Sequence, residues 1–158
     1  MTFTVTRDTL ENDGILFIRD VLRKNLTDPI SPVRTNTYLN DGWILKSPVK
    51  NQDANLPCIV LDQSNVNERK ISFRDGFDIT YNLGLMVWAK SLEHRDDLAD
   101  AIKVCLQNDS KGDGTNTLLN QGLIYKNCES RNSDGYIEGF KELMRIKEMN
   151  ITFSYISR

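Results

Sequence analysis

Apolar residues along this chain recur with two different periods, and those periods predict its elements. From Asp8 to Leu26, Leu10, Ile15, Ile18, Val21, Leu22 and Leu26 fall at helical spacing, while Arg19, Asp20, Arg23 and Lys24 lie off that stripe. This predicts an amphipathic helix. Gly14 weakens its first turns by about 1 kcal/mol relative to alanine, so the regular part is expected to begin near Asp13, with Asp13 as the N-cap. Between Phe77 and Lys90 the period changes to two. Phe77, Ile79, Tyr81, Leu83, Leu85 and Val87 alternate with Asp78, Thr80, Asn82 and Gly84, which predicts a long strand; its polar face turns apolar at Met86 and Trp88, so the far end is expected to be covered on both sides.

The remaining elements are read in the same way. Gly42 to Lys46 predicts a short edge strand, and the apolar run Cys58-Ile-Val-Leu-Asp62 a strand buried on both faces. The polar segment Gln63 to Arg74 is expected to be a mobile hairpin arm. Ser91 sits at an N-cap position before Glu93, Asp96 and Asp97, and Leu98, Ile102, Cys105 and Leu106 give a second helix over 92–107. A loop from Asn108 to Thr115 precedes two further strands, Gly122 to Cys128 and Lys141 to Ile156, separated by the turn-rich stretch Glu129 to Gly139. Prolines at 29, 32, 48 and 57 make 27–57 extended and irregular. The expected order is α-β-β-β-α-β-β: an α+β single domain over 1–158, with a mixed, mainly antiparallel sheet, two helices packed on one face and a long extended loop after the first helix.

Composition narrows the function. A chain of 158 residues with 39% hydrophobic and 27% charged side chains can bury one core. Its net charge of -2 exerts no global pull toward nucleic acid or anionic membrane. No apolar run is long enough to cross a bilayer and the N-terminus lacks the pattern of a signal peptide, so a cytosolic protein is expected. Cys58, Cys105 and Cys128 are odd in number and contain no CxxC pair; they read as small buried hydrophobes.

Catalytic patterns are sparse. The single histidine, His94, stands among Glu93, Arg95 and Asp96 without a nucleophile motif, as a solvated helix residue would. Asp109-Ser-Lys-Gly-Asp-Gly114 starts like a calcium loop, but Lys111 and Asn120 occupy places that need ligands. Neither the P-loop order nor a dinucleotide fingerprint is present. Asp62, Asp75 and Asp78, with Lys70 nearby, are a candidate nuclease-type trio of the kind that any acidic surface offers by chance. No enzymatic activity, cofactor or metal is expected. Aromatic and basic residues mingle in Arg34 to Tyr38 and Trp43 to Lys50, where they suit a protein interface or a nucleic-acid surface; the plainer alternative packs Trp43 into the core. The candidate partner-interface residues are Arg34, Tyr38, Trp43, Lys46, Arg69, Lys70, Lys111 and Asp113.

Four segments in order carry a resemblance. They are the opening helix Ile15-Leu-Phe-Ile-Arg-Asp-Val-Leu22; Trp43-Ile-Leu-Lys-Ser-Pro48 leading to Leu56-Pro-Cys-Ile-Val60; Tyr81-Asn-Leu-Gly-Leu-Met-Val-Trp-Ala-Lys90 running into Arg95-Asp-Asp-Leu-Ala-Asp-Ala-Ile102; and a closing strand. Together they resemble the tail terminator and head-to-tail joining proteins of long-tailed phages, also known as tail completion or minor capsid proteins. The stretch from Asp109 to Gly139 is longer than that pattern. The resemblance implies a structural virion protein: a homohexameric ring at the end of the tail tube that stops polymerisation and joins the tail to the head-side connector. The tail tube protein and a head-completion protein would be its partners, DNA would pass through the lumen without specific binding, and assembly would take place in the host cytoplasm. The alternatives are another head-to-tail connector, a small metal-dependent nuclease, or an adaptor domain of a cellular complex.

Overall fold

The computed structural model describes residues 4–30, 43–45, 56–70, 77–112, 114, 117–136 and 142–156. Their order is α1 (Leu10–Asn25), β1 (Ile44–Leu45), β2 (Cys58–Lys70), β3 (Phe77–Ala89), α2 (Leu92–Asp109), β4 (Leu123–Asn132) and β5 (Arg145–Tyr155). The described strands form one sheet in the order β1-β2-β3-β5-β4, and among their pairs the β1/β2 pair alone is parallel. This is the expected α+β fold with its mixed, mainly antiparallel sheet. The expected long loop after α1 lies mostly outside the described residues.

One face of the sheet carries the core. Ile79, Tyr81, Leu83, Leu85 and Val87 of β3 share it with Met149, Ile151, Phe153 and Tyr155 of β5 and with Ile59 and Leu61 of β2, all buried. Both helices cover this face. α1 buries Leu10, Ile15, Phe17, Ile18, Val21 and Leu22, and α2 buries Leu98, Ala99, Ile102 and Leu106. Arg23 of α1 also donates to the carbonyl of Ile44 at 2.8 Å, tying the helix to the edge strand. The other face is apolar only at one end, where Cys58, Val60, Trp88 and Ile146 are buried, as the apolar turn at Met86 and Trp88 predicted.

Several boundaries differ from expectation, each for a physical reason. α1 starts at Leu10 after Thr9, so Asp13 lies inside its first turn and is not the N-cap. Gly14 is there because of packing: a Cβ at this position would stand 3.0 Å from the Tyr81 ring, so its absence lets helix and sheet approach. The arm expected from Gln63 onward is instead a continuation of β2, paired with β3 as far as Lys70 opposite Phe77. Backbone pairing with a strong partner strand holds a polar sequence that has no apolar period of its own. A bulge between Leu61 and Gln63 marks where the doubly buried segment gives way to this polar one. β4 likewise runs on to Asn132, and α2 to Asp109. Ser91 does cap α2: its Oγ accepts from the His94 N–H at 3.2 Å.

Candidate assembly surface

Away from the helices, the sheet carries a mainly polar face. The register sets Asn65, Asn82, Thr152 and Asn127 in one row across β2, β3, β5 and β4, and Asn67, Thr80, Ser154 and Ile124 in the next. Thr152 donates its hydroxyl hydrogen to Asn82 Oδ1 at 3.1 Å across the strands. The charges on this face are largely matched: Arg69 stands opposite Asp78, and Arg131 pairs with Glu148. Amides and hydroxyls make up most of its two central rows.

The two flanks of the sheet end differently. β1 covers β2 only at Ile59 and Val60, which leaves β2 beyond its bulge without a second neighbour among the described strands. On the other flank the start of β4 is closed off, because the Leu123 N–H donates to the Leu118 carbonyl at 2.8 Å and the Tyr125 N–H to Ser110 Oγ at 3.0 Å. After a bulge between Tyr125 and Asn127, β4 runs on with no neighbour beyond it among the described strands.

The four candidate interface residues among the described ones, Trp43, Arg69, Lys70 and Lys111, do not converge on one spot. Trp43 is fully buried in the core, which removes it from the interface set; its indole is where the plainer reading placed it, because the adjacent β1 packs under α1. Arg69 and Lys70 are exposed at the end of β2, and Lys111 is exposed just after α2. Arg34, Tyr38, Lys46 and Asp113 lie outside the described residues. The loop that resembled a calcium site is a self-bonded turn: Asp109 accepts from the Leu118 N–H at 2.8 Å, and Thr117 bonds to the carbonyls of Gly112 and Gly114, both at 3.0 Å. The nuclease-type trio is not assembled either. Asp78 stands opposite Arg69 whereas Asp62 sits at the bulge, about six residues or roughly 20 Å along the strand, and Asp75 lies outside the described residues. His94 is half-buried rather than fully solvated. Cys58 is buried; Cys105 and Cys128 are half-buried, and burial pushes the Cys105 thiol up to about 11 and raises that of Cys128, so neither is poised as a thiolate.

Sequence reasoning missed a charged clasp. Arg95 is buried to 5% exposure and donates to both oxygens of Asp134 at 2.8 and 2.9 Å and to Asp96 at 3.0 Å. Asp134 also accepts from Arg145 and from the Ile146 N–H, and Lys147 pairs with Asp96. These bonds pin the distal end of the β4–β5 hairpin to the first turn of α2. The signal was present, since Arg95 lies three residues before Leu98 on the buried stripe, where a charge requires a partner. Asp96, placed by its sequence position as a helix-dipole residue, is held below the usual carboxylate range by Arg95 and then Lys147. Burial pushes Asp134 up, but the Ile146 N–H, Arg145 and Arg95 together bring it below that range. Carboxyls lowered in the folded state stabilise it above their unfolded value, near pH 4, and this contribution is lost as the pH falls through the folded values. The melting temperature is therefore expected to drop on acidification below about pH 4. Asp134→Asn should melt lower at pH 7 and show a shallower acid decline; an unchanged decline would mean that the clasp does not set it.

No protein-family profile matches the sequence, and no curated protein is significantly similar to it. Among solved structures, the fold is similar to that of a chain from the "Virion of native gene transfer agent (GTA) particle", with a TM-score of 0.50 and 13% identity, covering 90% of this chain and 94% of that one. The two proteins thus share a fold over nearly their whole lengths.

Proposed function

We propose that this chain is a non-catalytic structural subunit of a phage-like virion, and specifically a tail terminator: a ring, hexameric by resemblance, that caps the tail tube, stops its polymerisation and meets the head-side connector. The observation that carries this reading is the fold shared, end to end, with a chain of a gene transfer agent virion. Two features of the chain agree with it. A sheet whose β2 and β4 flanks have no further neighbour among the described strands offers the two unlike patches that a closed head-to-tail ring requires. A face rich in Asn, Thr and Ser, on which Arg69 stands opposite Asp78 and Arg131 pairs with Glu148 among the described residues, suits a lumen through which DNA slides without specific binding. In this reading the subunits assemble in the host cytoplasm with the tail tube protein and a head-completion protein.

Light scattering of the purified chain over a concentration range, with negative-stain imaging, tests the ring. Six copies of the 18.1 kDa chain give a particle of about 109 kDa with a visible central hole. A monomer at every concentration would overturn the ring-forming reading.

A further inference from the structure

Backbone bonds at the ends of β4 determine which of its residues turn outward. Gly122 accepts from the Ile156 N–H, and the Ser133 N–H donates to Ile146, both at 2.8 Å. Asn132, opposite Lys147, therefore directs its own N–H and C=O away from β5, and by alternation so do Ser130 and Cys128. Followed across the ladder, Lys147, Met149 and Ile151 bond to β3, so Val87, Leu85 and Leu83 bond to β5. The β2 residues opposite alternate members of β3 then turn outward: Ser64, Val66 and Glu68. None of these six residues has a backbone partner beyond its own sheet neighbour among the described residues.

We propose that these two free edges are the subunit interface of the ring: Cys128–Asn132 of one copy adds antiparallel to Ser64–Glu68 of the next, making one continuous sheet around the assembly. This rests on the ring reading above and specifies its contact. Three conditions that need not have held together are met. Within the sheet β2 and β4 run in opposite directions, so a second copy placed flank to flank in the same orientation presents an antiparallel partner. Both outward sets carry their side chains on the helix side, so pairing keeps helices on one side and the polar face on the other; had the sets lain on opposite faces, one copy would have to turn over. Within the proposed contact none of the six outward residues is a lysine or proline, the residues that protect an edge, and only Glu68 is charged; Lys70, the next outward residue of β2, lies just beyond it.

With Ser130 opposite Val66, Glu129 stands diagonal to Arg69, an attractive pair on the polar face that gives this candidate interface residue a role. The same register displaces each copy by about four residues, or roughly 13 Å, along the strands for each advance of four strands, or roughly 19 Å. Strands tilted by roughly 35° to the ring axis absorb that shift, a tilt ordinary for closed sheets. The helices need the larger circumference, so they lie outside and the Asn/Thr/Ser face lines the lumen.

The test uses Ser130→Pro and Val66→Pro in the full chain. Each removes one outward N–H that has no partner among the described residues, so circular dichroism should stay native while each variant alone loses the ring and runs as a monomer. Mixed, they are expected to form a one-to-one dimer and nothing larger, because the intact β4 edge of V66P meets the intact β2 edge of S130P. If either variant fails to fold, Val66→Cys and Ser130→Cys are mixed under oxidation instead; a disulfide-linked dimer forming only in the mixture supports the pairing, and its absence overturns it. Rings that persist in both proline variants overturn the edge pairing and leave the ring standing. A wild-type chain that never leaves the monomer overturns both.

Discussion

Phe153→Ala is expected to lower the stability of the chain by about 4 kcal/mol, within the range for truncating a buried phenylalanine. Phe153 is fully buried on β5, a strand with neighbours on both sides, 6.1 Å from the Tyr81 ring and 6.2 Å, edge-on, from the Tyr125 ring. The substitution removes a large apolar side chain, leaves a cavity that two neighbouring aromatics cannot both close, and forfeits two ring pairs worth about 0.5–1.5 kcal/mol each. Because β5 lies between β3 and β4, no edge is available to relax inward. For a domain of this size the melting temperature should fall by roughly 8–16 °C. Thermal and urea unfolding measure it, and a loss under about 1 kcal/mol would mean that the aromatic cluster is not central to the core. The effect reaches the proposed lumen, since Thr152 and Ser154 flank Phe153 on the polar face.

Gly122→Ala should cost about 3 kcal/mol or more. Gly122 has φ +85°, a conformation that costs an L-residue about 1–2 kcal/mol. A Cβ there would also stand 2.2 Å from the carbonyl oxygen of Ile156, whose N–H bonds back to the Gly122 carbonyl at 2.8 Å. The clash is with backbone, so the entry into β4 must shift away from the end of β5. Gly135→Ala is the control: no atom lies within 4 Å of its added Cβ, and a change within about 0.5 kcal/mol is expected. Urea midpoints of the two variants decide the matter; equal effects would show that the turn at Gly122 relaxes freely.

With the proposed edge pairing, assembly and stability are separable. The core lies between the helices and one sheet face, while the proposed subunit contacts use edge backbone groups that have no partner among the described residues. Proline at an edge should therefore abolish rings without unfolding the subunit, whereas Phe153→Ala should weaken the subunit first and the ring only through it.

What the sequence determined by itself was the set of elements with a strong period. The stripes of α1 and α2, the alternation of β3 and the apolar run at Cys58 each bury enough surface to choose their own conformation, and with their order they were sufficient for the α+β class. Ser91 at its cap was equally legible, because capping is a local bond. The tertiary structure alone decided what depends on a partner. The polar half of β2 and the end of β4 are strands because neighbouring strands supply their hydrogen bonds, which no local pattern reveals. Gly14 looked like a helix breaker until Tyr81 was found against it, and Arg95 like a surface charge until Asp134, 39 residues away, closed on it. Which backbone groups turn outward at the two edges follows from strand order and bonding parity, and these exist only once the sheet is assembled.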